Sequence, residues 1–295
     1  MDFPSLKAFV AAAETGSFSR AAEQLFMTQP AISKRIAGLE DDLGTALFDR
    51  LGRTIQLTEA GAKFLISARR ILSDIDISRE EVLSLSSDVS GRLRLATSHH
   101  VGIHRLPPIL KAFTQAHPEV ELDLLFMDSE LACVEVANGH IELAVVTLPD
   151  NLESGLLTQL VWPDPLSIVC AADHPMLAEL KSATEFRPHQ LEQYKAVLPS
   201  RGTVTRSILL DALQPFEVNV ETSLETNYLE TIKMMVSVGL GWSALPLSMI
   251  DDGMRAVPIP SLSMQRQLGS VRLKGRTLSR AALVFMDFLM TCEDK

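Results

Sequence analysis

Ser17-Phe18-Ser19-Arg20-Ala21-Ala22-Glu23-Gln24-Leu25, followed by Thr28-Gln29-Pro30-Ala31-Ile32-Ser33, reads as two short helices joined by a tight turn. From Gln29 to Leu43 the apolar residues Ile32, Ile36, Leu39 and Leu43 fall within a narrow arc at the helical advance of ~100° per residue, so they form a buried stripe. Pro30, Ser33, Lys34, Ala37 and Gly38 point the other way. A face that mixes one cation, one hydroxyl and two near-absent side chains is a poor solubilising surface. It can instead press closely against base edges and phosphates in a major groove.

Working outward, the 295 residues, 46% hydrophobic and 22% charged, suit a soluble globular protein of two or three domains with a substantial core. Met1-Asp2-Phe3-Pro4-Ser5 has neither a basic start nor an apolar run, and no segment reaches the roughly 18 uninterrupted apolar residues of a membrane span. A cytoplasmic location without membrane contact is expected. Cys133, Cys170 and Cys292 are odd in number, far apart and without CxxC spacing, which points to reduced, buried thiols. The net charge of -10 looks unfavourable for nucleic-acid binding, and residues 1 to 60 hold six Lys and Arg against eight Asp and Glu. The cations nevertheless cluster, with Lys34 and Arg35 near the start of the second helix and Arg50 and Arg53 after it. Glu40, Asp41 and Asp42 lie at the helix's far end, away from phosphates if it enters by its N-terminal half. So few cations argue for binding as an oligomer on a long site.

Ser17 to Ala22, Thr28 to Ser33, Ile36, Leu39-Glu40, Leu43-Gly44, Leu47-Phe48-Asp49-Arg50 and Leu57-Thr58-Glu59-Ala60-Gly61 together resemble the N-terminal signature of the LysR-type transcriptional regulators. The resemblance implies a winged helix-turn-helix over residues 1–58, with Leu47 to Leu57 as the wing. By the family pattern Gln29, Pro30, Ser33 and Lys34 face the major groove, with Arg35 beside them, and Arg53 at the wing tip reaches the minor groove. It also implies double-stranded DNA, a small-molecule effector and further copies of the chain as partners, with RNA polymerase as a possible one.

Beyond Thr58, a good N-cap, Leu65, Ala68, Leu72, Ile75, Arg79, Val82, Ser86 and Val89 recur alternately three and four apart. This heptad seam predicts a long helix to about Asp88 within a linker of residues 59–89. With no neighbour of similar length in the chain, pairing with a second copy is its expected use, in agreement with the family's linker helix.

From Arg92 onward strands and helices alternate: a strand to Ala96, a helix to about His117, a strand at Val120 to Phe126, a helix through Val136 and a strand at Ile141 to Val146. The order implies a parallel sheet covered on both faces. A second unit starts at Trp162 to Cys170 and continues through Lys195 to Leu198 and Leu229 to Val238; a last strand near Gln267 to Leu273 precedes a helix from Leu278 to about Thr291. The whole is α/β and resembles the family's periplasmic-binding-protein-like effector domain, here 90–295. Lobe I is expected at about 90–161 and 266–295, and lobe II at 162–265, with crossovers near Val161 and Gln265.

Open α/β sheets bind ligands beyond the carboxyl ends of their strands, where helix N-termini offer free N–H groups. The first such end is Thr97-Ser98-His99-His100; Ser129, Thr147 and the Ser200-Arg201-Gly202-Thr203 loop occupy equivalent places. Hydroxyls donate to a small anion, and a histidine can gain a proton to balance its charge. Thr97, Ser98, His99, His100, Ser129, Thr147, Ser200, Gly202 and Thr203 are therefore the candidate effector contacts, although any single hydroxyl at a helix start also serves as a cap. Thr97-Ser98-His99 and Thr147 are similar to stretches of the family's cysteine-biosynthesis regulators, whose ligands include small oxyanions; the second histidine and Ser200-Arg201-Gly202 depart from that pattern.

His100 and His104 have i,i+4 spacing, but no Glu lies between them and no nearby Cys or Asp supplies a third ligand, so neither a metal nor a cofactor is expected. Gly239-x-Gly241-x-x-Ala244 follows an apparent helix, where a dinucleotide fingerprint follows a strand, and reads as a helix end turning into a strand at Trp242 to Leu245. Gly241 to Leu245 lacks the last glycine of a nucleophile elbow. No catalytic constellation remains. The expectation is a ligand-responsive, sequence-specific DNA-binding regulator, paired through its linker helices and, by the family pattern, tetrameric. The alternative is a cytoplasmic α/β enzyme carrying a DNA-binding head.

Overall fold

A computed structural model describes residues 1–51, 54–83, 89–149, 155–178 and 186–291. Arg53, Ser86, Asp88 and Cys292 lie outside the described residues, as do the side chains of Arg50, Arg79 and Val82.

The N-terminal unit has local stop signals at each helix. Helix α1 (Phe3–Thr15) begins where the Asp2 carboxylate accepts the Ser5 amide and ends at left-handed Gly16. Helix α2 (Phe18–Gln24) is capped by Ser17, and α3 (Gln29–Leu43) starts with Pro30 in its first turn and ends at left-handed Gly44. Ile32, Ile36 and Leu39 are buried as the stripe requires, whereas Leu43 is 39% exposed because the helix's last turn overhangs the core. Strands β1 (Phe48–Leu51) and β2 (Thr54–Leu57) pair antiparallel into the wing.

Helix α4 (Glu59–Leu83) is the long linker, its start capped by the Thr58 hydroxyl, which accepts the Gly61 amide at 2.9 Å. Along the first half of the expected seam Ala68 is buried within the chain's own core, while Leu65 and Leu72 are half-buried. Leu65 and Leu72, with Phe64 and Ile71, pack against the core of the same chain that includes Phe9, Phe48 and Ala68. Val89, the last seam position, is buried in the core of the following domain. A three-four repeat marks an apolar stripe without saying what covers it.

Strand β3 (Gly91–Thr97) leads to two helices, α5 (His99–His104) and α6 (Leu106–Ala116), where one had been expected; Pro107 in the first turn of α6 marks the restart. Strand β4 (Val120–Phe126), α7 (Ser129–Ala137) and β5 (Leu143–Thr147) complete the first unit, with β4 and β5 parallel to β3 on either side. The three strands of this unit are parallel as the βαβαβ order implies, and beyond β5 the sheet continues antiparallel. Strand β6 (Leu156–Ala171) and β11 (Met264–Leu273) pair antiparallel from Leu156 opposite Leu273 to Leu166 opposite Met264, so each expected crossover is one long strand running through both lobes.

Strands β9 (Ser243–Pro246) and β10 (Met254–Val257) join the far end of β6, and β7 (Ala196–Leu198) pairs parallel with β8 (Thr222–Glu225). Helices α8 (Val204–Leu213) and α9 (Leu229–Ser237) belong to this second lobe, and α10 (Arg280–Thr291) returns to the first. On lobe I, α6 and α10 bury Phe113 and Phe285 on one face of the sheet, and α7 buries Ala132, Cys133 and Val136 on the other. Trp242, Leu209 and Phe186 centre one core of lobe II, and Leu229, Ile232 and Val236 line another. Each such fully buried aliphatic or aromatic side chain contributes about 1.5–3 kcal/mol. The Gly239 turn has φ 82°, and a Cβ on Gly241 would meet the Lys195 carbonyl at 2.4 Å, so this Gly-x-Gly is a packing and turn device.

Candidate functional site

On α3, Gln29, Pro30 and Lys34 are exposed and Ser33 half-buried, all within one arc of the helix. The Gln29 side-chain amide donates to the Ser33 hydroxyl at 2.8 Å, which preorients two polar groups on the outward face. Arg35 does not share that arc; its guanidinium lies 4.0 Å from the Asp2 carboxylate at the start of α1. Between α2 and α3, Phe26 is 98% exposed at φ 54°, a left-handed position that sequence reading passed over.

The second site is a narrow cleft of about 50 Å³ between the lobes, at the carboxyl ends of β3, β4 and β5. Ser98, His99, His100, Ser129, Thr147 and Thr203 line it. Thr97, Ser200 and Gly202 do not. The Thr97 hydroxyl is spent inside the sheet, donating to the Val145 carbonyl at 2.8 Å. Ser200 donates its amide to Asn227 and accepts the Thr203 hydroxyl, and Gly202 is exposed at φ 88° in the turn. Ser129, at the first turn of α7, accepts the Thr147 amide at 3.2 Å. Ser98 makes no capping bond to α5, and its buried hydroxyl has no partner among the described residues. A buried donor left so costs about 1–3 kcal/mol unless something else meets it.

The polar cleft residues Asp128, Glu130, Thr205, Asn227 and Arg266 were not singled out from sequence. Glu130, on lobe I, reaches across to accept the Val204 amide at 2.8 Å at the N-terminus of α8, on lobe II. Asp128 likewise accepts the Asn227 side-chain amide at 2.8 Å. Arg266, 3% exposed, donates from Nε to Asp164 at 3.0 Å and from Nη1 to Thr205 at 3.1 Å. The available signal was a charged residue in or beside each of two stretches that read as strands, and alternation alone does not say that the two meet.

His100 is 4% exposed, and neither ring nitrogen has a hydrogen-bond partner among the described residues. Burial first, then the charges of Arg266, His104 and Arg105, push its pKa from 6.5 down to about 2. The expectation that either histidine can gain a proton is corrected here: His100 is a neutral ring. Its neighbour His99 stacks edge-on against Tyr228 with ring centroids 4.6 Å apart.

The expected lack of a third metal ligand is also corrected. Glu230, in the first turn of α9, places Oε1 2.9 Å from His104 Nε2 and 4.0 Å from His100 Nδ1. Tertiary folding brings it there from a distant part of the chain. No described helix is long and apolar enough to cross a membrane, and Cys133 and Cys170 are buried, the latter with its thiol pushed up to about 11 by burial.

Residues 3–62 match the model described as bacterial regulatory helix-turn-helix protein, lysR family, and residues 86–291 match the LysR substrate binding domain. The chain is 29% identical over 292 residues to the HTH-type transcriptional activator CmpR of Synechocystis, covering 97% of this chain and 94% of that one. A full-length OxyR variant from Pseudomonas aeruginosa aligns at a TM-score of 0.76 and 24% identity over 99% of this chain and 96% of that one. The regulatory domain of Synechocystis PCC6803 CcmR in complex with 2-PG aligns at 0.61 and 25% identity, covering 68% of this chain and 96% of that one.

Proposed function

The chain belongs to the LysR family of bacterial transcriptional regulators, and from that membership we propose that a small anion held between the two lobes sets the affinity of the winged helix for operator DNA. The family is one of DNA-binding regulators with effector domains, not of enzymes. In this reading Gln29, Ser33 and Lys34 meet the major groove and Arg53 the minor groove, while the protein works in the cytoplasm as a dimer or tetramer on double-stranded DNA. RNA polymerase is the partner through which it would act on transcription.

The observation that carries the anion reading is Glu130 on the α8 amide. A helix N-terminus with unpaired N–H groups favours negative charge, and here a carboxylate from the opposite lobe occupies that place. An effector anion would displace Glu130 and engage the unpartnered Ser98 hydroxyl beside Ser129 and Thr203. The CcmR regulatory domain, a domain of this kind, forms a complex with 2-PG.

Thermal unfolding of the full chain against sulfate, sulfite, phosphate, thiosulfate, 2-PG and neutral isosteres tests it, because a ligand at a hundred times its dissociation constant stabilises by about 2.7 kcal/mol. An anion should stabilise and its neutral isostere should not. Glu130→Ala, by freeing the Val204 amide, should tighten that anion about tenfold, and Ser98→Ala should weaken it by a similar factor. A neutral compound that stabilises equally well, or an anion indifferent to both substitutions, would show the cleft reading to be wrong.

A further inference from the structure

His100 and His104 stand one turn apart on α5 of lobe I, with ring centroids 4.9 Å apart. Glu230 faces them from α9 of lobe II. One ligand atom from each, the two imidazole nitrogens and the carboxylate oxygen, all lie within 4.8 Å of one another. Ligands sharing a tetrahedral ion at about 2.0–2.2 Å sit about 3.3–3.5 Å apart. The separations of 2.9 Å and 4.0 Å from Glu230 bracket that value, and the two imidazole nitrogens, within 4.8 Å of each other, close by at most about 1.5 Å through side-chain rotation.

The second, independent observation is His100 itself, 4% exposed with both ring nitrogens unpartnered among the described residues. Its Nδ1 faces Glu230, and its Nε2 faces the Asp164 carboxylate at 3.8 Å. A histidine that ligates a metal through one nitrogen characteristically offers its other N–H to a carboxylate, which fixes tautomer and ring orientation. Asp164 is itself held by Arg266 at 3.0 Å and approached by Arg105 at 3.7 Å, so the outer partner is oriented in turn. His104 and Glu230 are 38% and 34% exposed, which leaves the ion a path from solvent.

We propose that a divalent transition-metal ion of the zinc class binds between His100 Nδ1, His104 Nε2 and Glu230 Oε1, clamping lobe I to lobe II at the rim of the cleft. Two imidazoles and one carboxylate suit zinc, cobalt or nickel and not the all-oxygen preference of magnesium or calcium. Bound there, the ion replaces the direct His104 to Glu230 contact with bonds to both lobes and favours their closed arrangement. The site does not depend on the anion reading, since none of its three ligands is required there to hold the anion.

The test is titration of chelator-treated full-length protein with Co²⁺, followed by Zn²⁺. One equivalent of Co²⁺ per chain should bind with the visible absorption of low-coordinate cobalt and be displaced by Zn²⁺, whose filled d shell imposes no geometric preference against such a site. His104→Ala and Glu230→Gln should each weaken binding at least about tenfold, while His189→Ala, in a surface pair with Glu192, leaves it unchanged. Both test residues are partly exposed, and circular dichroism checks that the variants fold. Absence of binding at 100-fold excess of metal, equal binding in His104→Ala and Glu230→Gln, or loss in His189→Ala as well would each overturn the site.

Discussion

His100 shows how one position in the sequence can carry opposite chemistry once folded. Beside a strand end it reads as a proton acceptor for an anion, yet burial first, then the neighbouring Arg266, His104 and Arg105, lower its pKa to about 2. The unfolded chain takes up a proton near pH 6.5 that the folded chain refuses, so unfolding is favoured as pH falls. The stability linked to this ring is fully present above pH 6.5 and drains away as pH drops from 6.5 toward 2. Each pH unit in that window removes up to about 1.4 kcal/mol. Urea midpoints of chelator-treated protein should therefore fall between pH 6.5 and 5, and His100→Gln should flatten that limb; an equally steep fall in the variant would assign it to other groups. Hydroxyls were similarly half legible. Their recurrence at strand ends located the cleft residues Ser98, Ser129 and Thr147, but only the folded chain shows Thr97 turned into the sheet toward Val145. Strand alternation fixes which face a side chain takes and not which backbone group it finds.

Among the elements, α3 was legible because its signals are local: a proline in the first turn, a terminal glycine and an apolar stripe ended by a polar face. Gln29→Ala and Ser33→Ala should each cost about 1–3 kcal/mol on the preferred operator and little on random DNA. Lys34→Ala should weaken both and reduce the salt slope by about one. Equal operator affinity in all three, measured by fluorescence anisotropy, would take this face out of the interface. The turn before it holds a separable cost. Phe26 sits at φ 54° with 98% of its surface exposed, so it keeps a left-handed backbone with little packing in return. Phe26→Asn should raise stability by about 0.5–1 kcal/mol, and a lower melting temperature would mean the ring is needed elsewhere. Helix α4 was legible as an element and half legible as a surface, since its periodicity does not say how Leu65 and Leu72, half-buried here against the chain's own N-terminal core, divide themselves between that core and a second copy. The lobe-spanning lengths of β6 and β11 escaped for a related reason: an extended segment carries no local mark of a domain crossing.

Across the whole molecule, two strands connect the cleft to the linker helix. Strand β5 ends in the cleft at Thr147, and just before its other end Glu142 accepts the Ser279 hydroxyl at 3.1 Å. Strand β11, paired antiparallel with β5, carries Arg266 in the cleft and runs toward Arg276 at its far end. Arg276 donates to the Ile141 carbonyl at 2.9 Å and to the Ser73 hydroxyl of α4 at 2.7 Å. A shift of β5 against β11 when the cleft is filled thus reaches a single charged hydrogen bond on the helix that carries the winged domain. Packed strands transmit such displacements because their cores resist continuous deformation. Ser73→Ala removes that bond and leaves the anchors of Arg276 on residues 139 and 141 in place. The variant should bind the effector anion as wild type does, while the ratio of liganded to unliganded operator affinity moves about fivefold closer to one, on the order of 1 kcal/mol of lost coupling. If calorimetry and anisotropy give the same ratio for Ser73→Ala and wild type, the signal leaves the effector domain by another route, and the Glu14 to Arg69 pair at 3.1 Å, which joins α1 to α4 beside the same junction, is the next contact to cut.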